Sequence, residues 1–502
     1  MVMGACLLLV VLHYPLRRLP YFWDEAGYYA LAAADFYRQL LLIPHSTWAL
    51  GHTPLGAIYV ASAWHLFGVS PSVARIAMAL LAGATVIATY KLGRRAFPPE
   101  HSREMAAWSA LLLALSPLFF AQSTMLHIDL PATLFLTLAL IALLSRQLVL
   151  FALAASFAFL SKETAVIFFP VAWAYAWRYR GEFRAKEWAM LFSPVAAVLA
   201  WTCFYHYQTG FWTGNRQYLE YNLYSTLNPV RFFLSLARRL YQLLIGAFDW
   251  LLAGAALLGA IRRRKSKAKA AAAREESLYR DGEGRIRDLL ILGTGLCAIY
   301  IVFHSLVGGA LLRRYLLPVY PIFYLCTVWS LWSLPKQFAR SLCAIAASLF
   351  VAAWFLHGPY TFEFESSLAY ADFVRLHQQA ALYLEDFGQS ARVLTAWPAT
   401  GELGDPFLGY VRKPLRVTPI DDFGQDSFTH ARSDGFDVLY LYSRKPESVH
   451  GALMRLPFVQ KISRRYFDYV PQVSEETLAA EYHLRLLKKF ERHGQWVHIY
   501  GK

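Results

Sequence analysis

The sequence predicts an α-helical polytopic membrane protein with a small extracytoplasmic α/β domain at its carboxyl end. Three observations carry that prediction. Of the 502 residues, 57% are hydrophobic and 17% charged, with a mean hydropathy of +0.33, a balance that soluble domains rarely have. Basic residues gather in clusters that abut apolar runs, as loops on the cytoplasmic side of a membrane do. Beyond residue 358 the apolar runs shorten from span length to strand length.

The net charge of +15 invites a nucleic-acid reading. Its distribution argues against one, because the excess sits at Lys91, Arg94, Arg95 and Arg103, then at Arg178, Arg180, Arg184 and Lys186, then at 262–269, then at Lys336 and Arg340. That is a topology signal, and no nucleic-acid partner is expected. The five cysteines (Cys6, Cys203, Cys297, Cys326, Cys343) lie in apolar segments without metal-ligand spacing, so neither a disulfide framework nor a zinc site is expected.

Alternation between basic clusters sets the spans in order. They are 1–16, 73–91, 105–126, 130–145, a short pair at 148–161 and 164–177, then 188–205, 240–261, 289–307, 315–334 and 341–357. The short pair fits only as a hairpin, because Arg146 and Arg178 must share a side; this puts Ser161-Lys162-Glu163-Thr164 on the outer face. The total is about eleven transmembrane helices, with the amino terminus inside and the tail outside. A cleaved signal peptide ending near Ala32-Ala33-Ala34 is the competing reading of the first span, and it lacks the positive charge such a leader needs. Residues 54–67 are too short to span, so 17–72 reads as one outer loop that lies on or dips into the membrane, with an amphipathic helix from Ala26 to Gln39. The Ala/Lys/Arg-rich 262–288 stretch reads as a mobile cytoplasmic connector.

The chain thus divides into a membrane domain, 1–357, and an outer α/β domain, 358–502. In the latter, strands are expected at 392–397, 415–420, 437–442 and 496–500, with helices at 370–387 and 475–491.

This topology brings separated polar residues to one face. Trp23-Asp24-Glu25 follows the first span; an acidic pair at a membrane edge needs water, a partner or a substrate. His52-Thr53-Pro54-Leu55, Asp129, Lys162-Glu163 and Arg313-Arg314-Tyr315 share that face. Singly, each has a plain alternative: Asp129 as a helix cap, Lys162-Glu163 as a hairpin tip, the arginines as interfacial anchors. Together, cations and carboxylates on one leaflet suit an anionic lipid-linked substrate, since Lys and Arg neutralise phosphate and a carboxylate can take a proton.

The order of these motifs carries a resemblance. The acidic pair followed by Tyr28-Tyr29, His52-Thr53-Pro54-Leu55-Gly56, Arg75, Lys91-Leu92-Gly93-Arg94-Arg95, Ser116-Pro117, Asp129, Lys162-Glu163-Thr164-Ala165 and Arg314-Tyr315-Leu316-Leu317-Pro318-Val319-Tyr320-Pro321 resembles the GT-C glycosyltransferases over roughly residues 15–325. The nearest branch is the protein O-mannosyltransferase and aminoarabinose-transferase superfamily. The resemblance implies a cytoplasmic (inner) membrane enzyme moving a sugar from a polyprenyl-phosphate donor to an acceptor lipid, glycan or protein, on a hydroxyl or phosphate, with inversion. It implies Asp24 as general base with Glu25 beside it, Lys162, Arg313 and Arg314 as holders of the donor phosphate, and Tyr28, His52, Asp129, Glu163 and Tyr315 as cavity lining. Thr53 stands where the family pattern commonly has a first proline, which concerns the geometry of that loop. No obligatory cofactor is implied; a divalent metal is left open.

The residues support the same chemistry independently, because sugar transfer from a phosphate needs a base for the acceptor and cations for the leaving group. No zinc-protease, P-loop, serine-hydrolase or dinucleotide motif is present. A transporter or flippase of a lipid-linked glycan is the alternative, but charge crowded on one face rather than at the midplane argues against it. A non-enzymatic scaffold would leave Asp24 replaceable.

Overall fold

The computed structural model describes residues 2–272, 280–356, 363–387, 390–430, 435–444 and 454–502. Among the described residues, four helices are long and apolar enough to cross a membrane: Pro71–Ala96, Ala185–Thr209, Gly284–Leu306 and Lys336–Ala353. A bent pair, Pro229–Leu244 with Gly246–Ser266, makes five. Shorter apolar helices (Leu55–Phe67, Asp129–Leu144, Leu148–Ser161) pack among them. The chain is a multi-pass membrane protein, and apolar side chains such as Leu80, Val149, Leu153, Leu257 and Leu258 stand exposed along its helices as a lipid-facing surface requires.

Local chemistry sets many of the helix ends. Ser70 caps Pro71–Ala96 by accepting the Val73 N–H at 3.2 Å, with Pro71 at the first helical position. Asn228 caps Pro229–Leu244, and Gly210 in the left-handed region closes Pro194–Thr209. Close packing relies on small residues: a Cβ on Gly259 would collide with the Ser330 carbonyl oxygen, so the helix Asp249–Ala272 meets Tyr320–Leu331 at a distance only glycine permits.

Three expectations need correction. The span placed at 240–261 straddles a break, because Ala247 and Phe248 have φ of 53° and 70° and interrupt the helical ladder, bending the two halves by 43°. Hydropathy is continuous across that break and hides it. The connector expected at 262–288 is entered from both sides by helices, Asp249–Ala272 and Arg280–Leu306, since Ala, Lys and Arg are strong helix formers; residues 273–279 lie outside the described residues. The helix expected over 475–491 stops at Glu481, and Arg485–Arg492 is a strand. A two-residue turn, His493 (φ 47°) and Gly494 (φ 76°), folds it onto the last strand, and that pairing overrides a helix-like composition.

The amphipathic segment after Asp24 begins as a π-turn, Glu25–Tyr29, and continues as Ala30–Gln39. Its buried Asp35 accepts the N–H groups of His45 and Ser46, both at 2.7 Å, which ties down the following loop.

The tail forms a five-stranded mixed sheet. Its strands are β1 (Arg392–Ala396), β2 (Arg416–Ile420), β3 (Val438–Tyr442), β4 (Arg485–Arg492) and β5 (Gln495–Gly501), in spatial order β2-β1-β3-β5-β4. The first three are parallel; β5 runs antiparallel to β3 and β4. Helix Ala369–Phe387 packs on this sheet. The tail is seated on the start of the membrane domain: Tyr21 N–H donates to the Leu408 carbonyl at 3.2 Å, Tyr410 O–H donates to the Tyr21 carbonyl at 2.9 Å, and Trp397, just after β1, meets Trp23 edge-on at 5.2 Å.

Candidate functional site

The site is built from the backbone around Trp23. Trp23 has φ of 46°, a left-handed conformation costly for a bulky residue, and it is packed against Phe373 and Trp397 of the tail. The π-turn begins two residues later, and π-bulges are frequent at functional sites. Together they send the two neighbouring carboxylates to different partners.

Glu25 is fully buried. It pairs with buried Arg75 at 3.3 Å and accepts the N–H groups of Phe22 at 2.8 Å and Leu126 at 2.6 Å. Arg75 in turn donates to the carbonyls of Leu19, Pro20 and Thr124. The pair ties three chain segments together, with its polar atoms satisfied by backbone as a buried ion pair requires.

Asp24 keeps 28% of its side chain exposed while its partner Arg314 is buried at 2%. Arg314 is the hub of the site. Its Nη2 donates to Asp24, its Nη1 donates to Glu365 at 2.5 Å and lies 3.1 Å from His127 Nε2, and its Nε faces Asp129 at 3.5 Å. Burial and the neighbouring Arg314 push His127 well below the usual imidazole range, which leaves it neutral. Its Nδ1 lies 2.7 Å from Gln122 Oε1, so Nδ1 carries the proton and Nε2 accepts from Arg314.

Asp129 also accepts from Lys162 Nζ at 2.5 Å, and that ammonium stands 4.3 Å from the centre of the Tyr315 ring. Lys162 adopts an extended backbone between helix Leu148–Ser161 and the turn Glu163–Ile167. Next to it, His52 and Glu163 pair at 3.2 Å, with Tyr28 and Tyr218 edge-on to the imidazole at 5.0 and 5.7 Å. Burial alone would raise the Glu163 carboxyl; His52 and Lys162 outweigh it and hold the group below the usual carboxylate range.

The structure therefore gathers Asp24, Arg314, Asp129, Lys162 and Tyr315 in one connected cluster, with Tyr28, His52 and Glu163 forming a second linked group. Glu25 is placed behind it. Arg313 takes partners away from the cluster, on three other elements: Asp249 at 2.6 Å, Tyr320 at 2.8 Å and the Gly246 carbonyl at 3.2 Å, all buried.

Two residues that sequence reasoning missed join the cluster. Glu365 comes from the tail. Arg239, in helix Pro229–Leu244, is wholly buried, lies 5.7 Å over the Tyr315 ring, and donates to Gln242 and to the carbonyls of Leu312 and His304. Its Nη2 has no hydrogen-bond partner among the described residues. The signal for Arg239 was present: in VRFFLSLARRLYQLL the polar positions 231, 235, 239 and 242 fall on one face of a helix whose other face is apolar, and it is the polar face that is buried. Among the described residues no group of three or more His, Cys, Asp and Glu is arranged to hold a metal. Where Asp24, Asp129 and Glu365 converge, the guanidinium of Arg314 fills the centre.

A family model described as dolichyl-phosphate-mannose-protein mannosyltransferase matches residues 51–206. That segment holds His52, Asp129, Lys162 and Glu163; Asp24 and Arg314 lie outside it. No curated protein sequence matches the chain. Among solved structures, ArnT from Cupriavidus metallidurans bound to undecaprenyl phosphate is similar with a TM-score of 0.54 at 13% identity, over 99% of this chain and 97% of that one. ArnT from the same organism in the apo state is similar with a TM-score of 0.54 at 14% identity, over 99% and 98%. The chain has the fold of these ArnT structures, and the likeness runs through the membrane helices and the tail alike.

Proposed function

We propose that this protein is a GT-C glycosyltransferase that moves a sugar from a polyprenyl-phosphate donor to an acceptor hydroxyl or phosphate on the extracytoplasmic face of the cytoplasmic membrane, with inversion at the anomeric carbon. The observation that carries the reading is Asp24, a part-exposed carboxylate fixed on one oxygen by the buried Arg314. The other oxygen is left to accept a proton from an acceptor hydroxyl. The acceptor oxygen then bonds to the anomeric carbon as the bond from that carbon to the phosphate oxygen breaks, and the polyprenyl phosphate departs with the electron pair.

In this reading the leaving phosphate sits by Tyr315, where Lys162 and Arg239 approach the same ring. Arg239 has no carboxylate partner among the described residues and an unspent Nη2, so it suits a phosphate oxygen better than Arg313, whose guanidinium is committed to Asp249. We assign Glu25 and Arg313 to holding the fold, Glu163 to orienting His52, and Arg314 to orienting Asp24. The undecaprenyl phosphate named for the similar ArnT structure supports a lipid-phosphate donor.

The test uses purified full-length protein in nanodiscs, given undecaprenyl-phosphate mannose or undecaprenyl-phosphate aminoarabinose together with an extract of native membranes as acceptor. Release of undecaprenyl phosphate with appearance of the sugar on an acceptor supports the reading. Vesicles in which the donor crosses intact and unhydrolysed would replace it with a flippase.

A further inference from the structure

Glu365 lies in the short turn Phe364–Ser366 near the start of the tail, 51 residues after Arg314 in the chain. It is 4% exposed, and its Oε2 accepts from Arg314 Nη1 at 2.5 Å. Its backbone carbonyl accepts from Gln122 Nε2 at 3.1 Å, and the Oε1 of that same Gln122 faces His127 at 2.7 Å. His127 closes the ring by approaching Arg314 Nη1 at 3.1 Å. Nη1 is thus held from two directions by a side chain of the tail and a side chain of the 122–129 segment.

A guanidinium is planar and rigid, so fixing Nη1 also fixes the direction of Nη2. Nη2 is the atom that holds Asp24. Asp129 offers a competing acceptor for Arg314, at 3.5 Å from Nε, and one of its oxygens has no hydrogen-bond partner among the described residues. Removing the Glu365 anchor leaves that carboxylate to draw the guanidinium away from Asp24.

We infer that the C-terminal domain completes the reaction centre through Glu365, a positioning residue that clamps Arg314 in the orientation that holds the Asp24 carboxylate. This rests on the proposed role of Asp24. Three carboxylates (Asp24, Asp129, Glu365) surround the one guanidinium of Arg314, and Asp129 is shared with Lys162. Burial, resisted by Arg314 and aided by Asp24, Glu363 and Asp129, pushes the Glu365 carboxyl up to about 8. Its Oε1 has no hydrogen-bond partner among the described residues, and its Oε2 accepts from Arg314.

The experiment compares Glu365→Ala and Glu365→Gln with wild type as full-length protein in nanodiscs. Glu365→Ala should lower kcat by about tenfold or more with donor KM within about threefold, because donor contacts are untouched while the base is misaligned. Glu365→Gln keeps an oxygen for Arg314, so it should retain most of kcat. Wild-type kcat in Glu365→Ala would overturn the inference. A cryo-electron microscopy structure of Glu365→Ala tests the clamp without turnover: Arg314 displaced from Asp24 upholds the inference, and Arg314 unmoved on Asp24 defeats it. Failure of wild type to use either undecaprenyl-phosphate sugar would count against the proposed function, while the position of Arg314 in the variant would still decide whether Glu365 clamps it.

Discussion

Asp24 and Glu25 are neighbours in sequence bound to different arginines, Asp24 to Arg314 and Glu25 to Arg75. The left-handed turn at Trp23 and the π-turn that follows divide them, one toward the open side and one into the core.

This division predicts opposite phenotypes. Asp24→Asn should insert and fold as wild type and lose kcat by about a hundredfold or more, since the amide cannot take the proton. Glu25→Gln should instead lower stability, because removing one partner of a buried ion pair costs about 3–5 kcal/mol. Thermal melting in detergent beside turnover of purified protein separates them; a Glu25→Gln protein as stable as wild type but inactive would return Glu25 to the chemistry.

The two arginines that differ in pairing should differ in kinetics. Arg239→Gln should raise donor KM or lower kcat by about tenfold or more while leaving the protein folded, as loss of a charge-assisted contact to phosphate would. Arg313→Gln leaves Asp249 unpaired in the core and should reduce the yield of monodisperse protein. Gel filtration and donor titration on both variants check this, and equal effects on donor KM would remove Arg239 from the phosphate site.

Glu365 sets a direction for stability against pH. Its carboxyl lies near 8 in the fold against 4.5 for the free group, so the folded state binds the extra proton across that interval. Its contribution is complete below about 4.5 and is lost as pH rises through about 8. Melting temperature should therefore fall from pH 5 to pH 9 more steeply in wild type than in Glu365→Gln. Parallel curves for the two proteins would show that Glu365 does not titrate in this range.

Topology is open to direct test. The concentration of Arg and Lys at 262–269 predicts that this loop faces the cytoplasm and that the tail lies outside. A reporter active only in the cytoplasm should be silent when fused after Lys502. Activity there would sink the orientation and with it the face on which the reaction is proposed.

Hydropathy, charge and motif order are enough to mark the chain as a membrane protein and Asp24, Asp129, Lys162 and Arg314 as residues to watch. Hydropathy and charge are summed along the chain, and motif order is a one-dimensional property. Four of the five strands were readable for a similar reason, as short apolar runs between turn residues; β4 was not, because Arg485–Arg492 alternates too weakly and is a strand only through its pairing with β5. Which acid meets which base is settled by packing. Adjacent Asp24 and Glu25 look alike in a string of letters, as do Arg313 and Arg314, yet one member of each pair joins the cluster and the other is buried elsewhere. Glu365 joins from beyond the last membrane helix, since the tail folds back onto the loop that carries Asp24. Partner choice in a buried ionic cluster depends on distances between segments hundreds of residues apart, and those distances exist only once the helices have packed.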